Sequence, residues 1–132
     1  MKTDILEYDT SSATFKDITR DIEGLIDSPT GLLNVFVPHA TAGVAIIETG
    51  SGSEGDLGDA IDRLLPRDDR YRHSHGSKGH GADHVLPAFI SPSVTIPVVE
   101  GQLALGTWQS VVLVDTNRDN PRRKVRVSFL EA

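Results

Sequence analysis

The spacing of apolar and polar positions changes several times along this chain, and each change marks an element. Residues 2–9 alternate weakly, as an edge strand does. From Phe15 the spacing lengthens: Phe15, Ile18, Ile22, Leu25 and Ile26 fall on one face of a helix. Asp17 or Thr19 can cap its start, and "DSPTG" ends it. "LLNVFVP" (32–38) and "AGVAIIE" (42–48) are mostly apolar, β-branched runs that predict two strands joined at the corner "HAT". Ser53 opens a second helix, with Glu54 and Asp56 in the first turn where the helix dipole favours acids. Leu57, Ile61, Leu64 and Leu65 form its apolar side, and Pro66 lies at its end. Residues 66–83 are charged, glycine-rich and aperiodic, which predicts a long loop of the kind that is functional or disordered. "HVLPAFI" has no assignable period. After it, "SVTIPVV", "QLALG", "TWQSVVLVD" and the strictly alternating "KVRVSFL" predict strands joined by short turns. Two main helices and a run of antiparallel strands predict an α+β fold, sandwich-like and compact, as one domain over residues 1–132.

Composition narrows what such a domain does. At 132 residues it buries a core without staples. With no cysteine, any metal must rest on His, Asp or Glu. The apolar runs are too short to span a bilayer, and "MKTDILEYD" has acids where a secretion signal needs an apolar stretch. No membrane association and a cytoplasmic location are the expectations. A net charge of −6 argues against nucleic-acid binding. Yet Arg118, Arg122, Arg123, Lys124 and Arg126 crowd nine residues, a local cationic patch suited to a small anionic ligand.

Candidate chemistry concentrates on histidine. "RYRHSHGSKGHGADH" (70–84) holds four of the five: His73, His75, His80 and His84. None belongs to an HExxH or zinc-finger pattern, and a solvated loop tolerates histidine anywhere. His84 borders the apolar "VLPAFI", which anchors it. His39, in "PHATAG", follows a strand and either faces a cavity or bonds a neighbouring carbonyl. Glu48 and Asp56 are acids placed to orient an imidazole or help to ligate a cation, although the helix dipole alone accounts for Asp56. Trp108 is either a core aromatic or a stacking surface. Arg122 and Arg123 are either a solvated run or a phosphate fork.

These segments, "VFVPHATAGVAIIE", "DLGDAIDRLLP", "YRH", "ADHVLPAFISPSVTIPV", "GQLALGTWQS" and "NPRRKVRV", resemble in order and spacing the YjbQ family, also called UPF0047. The resemblance runs from about residue 14 to 130. It implies a compact α+β protein assembled as a homotrimer, and for some members a secondary thiamine-phosphate synthase activity. That reaction joins hydroxymethylpyrimidine diphosphate to thiazole phosphate and releases pyrophosphate. The resemblance puts His39, His73 and His84, with Glu48 and Asp56, in the catalytic set, and makes those histidines the metal ligands. Trp108, Gln109, Arg122 and Arg123 become the expected substrate contacts, and His75 and His80 fall at positions where the family commonly has other residue types. Ala40, Thr49 and Asn120 depart from the family pattern without removing a proposed ligand. Imidazoles favour zinc or another transition ion, whereas diphosphate chemistry favours magnesium. Two other readings stand beside the synthase: a zinc-type hydrolase with Glu48 or Asp56 as base, and a non-enzymatic trimeric binder of a small phosphorylated or anionic metabolite.

Overall fold

A computed structural model describes residues 1–132. Strand β1 (Lys2–Asp9) is followed by β2 (Phe15–Asp17), α1 (Thr19–Glu23), β3 (Gly31–Phe36), β4 (Ala42–Ile47), α2 (Ser53–Leu64) and α3 (His80–Val85). A single 3-10 turn (Leu86–Ala88) leads into β5 (Ser93–Val99), β6 (Gln102–Leu103), β7 (Ser110–Asp115) and β8 (Arg122–Glu131). Two antiparallel sheets result, one in the order β1-β8-β3-β5-β6 and one in the order β2-β7-β4. The α+β class, the antiparallel sheets and the start of α2 at Ser53 agree with the sequence expectation.

Alternation in β8 sends Arg123, Val125, Val127 and Phe129 inward and leaves Arg122, Lys124, Arg126 and Leu130 outside. Register sets Leu33 opposite Phe129 and Val35 opposite Val127, so the inward residues of β3 and β8 meet over one core. β7 is different. Val111 and Leu113 face that core, whereas Val112 and Val114 face a second cluster with Ile61 of α2, Leu65 just after it, and Ala82 and Leu86 beyond. A strand covered on both faces needs apolar residues at every position, which accounts for "VVLV". Each such buried Val or Leu contributes about 1.5–3 kcal/mol.

The helix expected from Phe15 to Ile26 is only Thr19–Glu23. Phe15–Asp17 instead pairs with Val112–Val114 as a strand. Ile18 and Ile22 enter the main core while Phe15 packs on the α2 side, so the apparent helical face is divided between two cores. The long loop is also shorter than expected, because α3 begins at His80. Behind it, Gly43 of β4 lets the Ile90 carbonyl come close: a Cβ at that position would fall on it. Val44 N–H then donates to the Ser91 carbonyl at 2.8 Å, tying the segment after α3 to β4.

Candidate metal centre

The chain leaves α2 at Pro66 and folds back on itself. Tyr71 Oη donates to the Pro66 carbonyl at 2.8 Å, and Arg67 grips Asp83 of α3 through both terminal guanidinium nitrogens. Asp83 is fully buried and also accepts from Thr116 Oγ1 at 2.7 Å, so α3 is pinned from two sides. Gly76, at φ 83°, makes the bend: a Cβ there would meet the His80 ring and the Asp119 carboxylate.

This fold-back gathers the histidines. His80 and His84 lie one turn apart on α3 and share a face. His73 and His75 reach them from the loop, with His73 ring centroids 3.9 Å from His75 and 4.0 Å from His84. One nitrogen from each of the four lies within 4.8 Å of the others. The Nε2 atoms of His80 and His84 are 3.0 Å apart. Two imidazole nitrogens at that separation share one proton or one cation.

The surroundings fix His80. Its Nδ1 lies 2.9 Å from Asp119 Oδ2 and 3.1 Å from Asn117 Oδ1, two acceptors that hold the proton on Nδ1 and leave Nε2 as the lone-pair nitrogen. Asp119 also accepts from Ser77 N–H at 2.9 Å, and that bond is the main cause of its lowered pKa. His73 is the opposite case: its Nδ1 is sealed from solvent and has no partner. Leaving such an atom unsatisfied costs about 1–3 kcal/mol. Burial first, and then the neighbouring imidazoles, lower the pKa of both His73 and His84. His73 and His84 are therefore biased toward neutral, ligating imidazole.

Converging imidazole nitrogens, one of them sealed and unpartnered, suit zinc or a similar borderline ion. Tetrahedral bonds of about 2.0–2.1 Å set nitrogens roughly 3.3 Å apart, and the present separations, 3.0 Å between His80 and His84 and within 4.8 Å across the set, bracket that spacing.

The candidates from sequence divide sharply. His73 and His84 are in the cluster, joined by His75 and His80, which had been expected as loop residues. His39 is elsewhere within the chain: its Nε2 accepts the Lys124 backbone N–H at 2.9 Å. Arg123 is buried, with Asp115 on Nε and Nη2 and Thr41 Oγ1 at 2.8 Å, so it is not an open phosphate fork. Arg122 is exposed at the start of β8. Glu48 follows β4 and Asp56 sits exposed in α2; neither pairs with a histidine, whereas Asp119 does, and Asp83 stands 3.8 Å from His80. Trp108 is 74% exposed rather than core. Gln109 turns back to accept the Gly106 N–H at 2.7 Å. Sequence reasoning missed Asp119 and Asn117, which lie in a polar turn without local signal. The i, i+4 spacing of His80 and His84 was a signal for that pair.

Comparison with known proteins agrees with this architecture. The family model described as "UPF0047 protein YjbQ-like" matches residues 4–132. A UPF0047 protein of Mycobacterium tuberculosis is 64% identical over 132 residues, covering 99% of each chain. A hypothetical protein from Aeropyrum pernix superposes with a TM-score of 0.88 at 30% identity over the whole of both chains. A YbjQ-like protein of unknown function from Sulfolobus solfataricus shares the fold at a TM-score of 0.89 and 24% identity, over 99% of this chain and 97% of its own. The chain belongs to the YjbQ-like UPF0047 family. No helix is long and apolar enough to cross a membrane.

Proposed function

We propose that this protein is a metal-dependent enzyme acting on a small phosphorylated or otherwise anionic metabolite, with a divalent transition ion, zinc foremost, held by His73, His75, His80 and His84. The observation that carries this reading is the sealed, unpartnered His73 Nδ1 amid three other converging imidazoles. A bound ion would supply Lewis acidity at this position. Asp119 and Asn117 hold the His80 tautomer, and Arg67 with Thr116 holds Asp83 and thereby the helix that carries two of the ligands. His75 is the exposed member of the set and helps to line a cleft of about 470 Å³ by which a substrate would approach. Hydrolysis of a phosphorylated or related bond is the reaction class this donor set fits best.

Thiamine-phosphate synthesis is the second reading. It is favoured by two exposed arginines free of ion pairs, Arg118 on the β7–β8 connection that carries Asn117 and Asp119, and Arg122 at the start of β8. A homotrimer accords with the apolar Leu32, Phe36 and Leu130 left exposed on the outer face of the larger sheet, and sedimentation of the purified chain measures it.

Metal analysis of untagged protein tests the first reading. About one zinc per chain, lost in His80→Ala/His84→Ala, is expected; a chain that takes up no transition ion when zinc is supplied overturns it. Rescue of a strain lacking thiamine-phosphate synthase separates the second reading from a hydrolase.

A further inference from the structure

A second cleft, about 570 Å³, opens between the β1–β2 connection, α2 and the β7–β8 connection. Only three of its fourteen lining residues are hydrophobic, so its ligand is polar. Four lining side chains carry charge, and two of these are neutralised by neighbours. Arg67 is paired with Asp83, and Asp115 is held by Arg123. That leaves Arg118 and Asp62, neither of which makes an ion pair or side-chain hydrogen bond within the chain. The hydroxyls of Ser12 and Thr14, also on the lining, have no partner in the chain either.

Asn117 is the wall between this cleft and the histidines. It is 7% exposed, and its Oδ1 faces His80 Nδ1 and accepts the Asp119 N–H at 3.3 Å. Its Nδ2 has no partner within the chain, yet it is not among the fully sealed orphan atoms. The donor half of this amide therefore opens into the cleft while the acceptor half holds a ligand of the candidate metal centre. Arg67 makes a similar bridge, lining the cleft while gripping the residue next to His84.

We infer that this cleft binds an oxyanion, the phosphoryl or carboxylate group of the substrate. Arg118 is the charged contact, Asn117 Nδ2 the positioning donor, and Ser12 and Thr14 supply hydroxyl donors. A guanidinium beside hydroxyl and amide donors is the chemistry such groups need. Asp62 opposes the anion and sets a limit on affinity. Calling the ligand a substrate rests on the metal-enzyme reading; binding of an oxyanion in the cleft does not.

Inorganic phosphate, titrated into metal-free protein and followed by amide NMR shifts, tests the inference, with acetate as a parallel arm to distinguish phosphoryl from carboxylate recognition. Saturable shifts at Ser12, Thr14, Asn117 and Arg118 are expected. Arg118→Ala should weaken binding about tenfold or more, and Asp62→Asn should tighten it a few-fold, about as expected for removing one nearby like charge. Zinc affinity of Arg118→Ala should stay at the wild-type value. Neither anion saturating, or equal affinity in both variants and wild type, overturns the inference. Anion binding that depends on Arg118 in a chain that takes no zinc would sink only the metal-enzyme reading. Zinc binding at the histidines without anion binding would sink only the cleft.

Discussion

Two polar clusters in this molecule, one around Arg123 and one around His73, differ completely in how their groups are satisfied. Around Arg123 every strong group has a partner. Asp115 accepts from Arg123 Nε, from Thr10 Oγ1 at 2.6 Å and from the Asn117 N–H, and Arg123 also reaches Thr41. His39 nearby is settled on the Lys124 N–H. Around His73 the nitrogens outnumber their partners: one is sealed and orphaned, and two others face each other at 3.0 Å. A saturated buried network holds a fold together, whereas an unsaturated one leaves donors or acceptors open to a further partner.

The largest effect that sharpens this contrast is Arg123→Ala. It leaves Asp115 charged and buried without its partner, and should lower unfolding free energy by about 3–5 kcal/mol in urea titrations. The corresponding deletion in the other cluster, His80→Ala/His84→Ala, removes the bonds of His80 to Asp119 and Asn117 and should cost less in the metal-free chain, about 1–3 kcal/mol. Zinc should then stabilise only the wild type, by about 2.7 kcal/mol at a hundredfold excess over its Kd. A double variant stabilised equally by zinc would remove the distinction.

Asp119→Asn should come next. It keeps the shape but weakens the hold on the His80 proton, and a loss of about 10–100-fold in zinc affinity, measured by competition with a chromophoric chelator, is expected. The smallest effect is on pH. His39, His73 and His84 all have folded pKa values below the ordinary 6.5. For His39 burial is the main cause and Arg123 adds to it. The unfolded chain thus binds protons that the folded one refuses, so this stability is fully present above pH 6.5 and is lost as pH falls through the folded values. Urea midpoints of metal-free protein should drop between about pH 7.5 and pH 5.5, and less steeply in His39→Gln. An unchanged slope in that variant would show that the cluster alone carries the effect.

Much of the fold was legible because its strands and α2 keep one period over enough residues. The Phe15–Ile26 spacing misled because its apolar residues serve two cores on opposite sides of one sheet. Arg123 was readable as inward: extending the alternation of Val125, Val127 and Phe129 back by two residues places it on the buried face. The candidate site was half legible. Histidine density gave all four members, and treating 66–83 as one loop obscured the helical spacing of His80 and His84. α3 has six residues, too few to impose an apolar period of its own. Asp119 reaches His80 across 39 positions of sequence, and no local pattern announces a contact set by the meeting of two connections.

The central claim is that the chain's metal site is the loop-and-helix cluster and that His39 belongs to the fold. Zinc affinity measured side by side for His73→Ala and His39→Ala tests it most directly. His73→Ala should lose about tenfold or more, and His39→Ala should stay within about threefold of wild type. Loss of zinc in His39→Ala with retention in His73→Ala would contradict it.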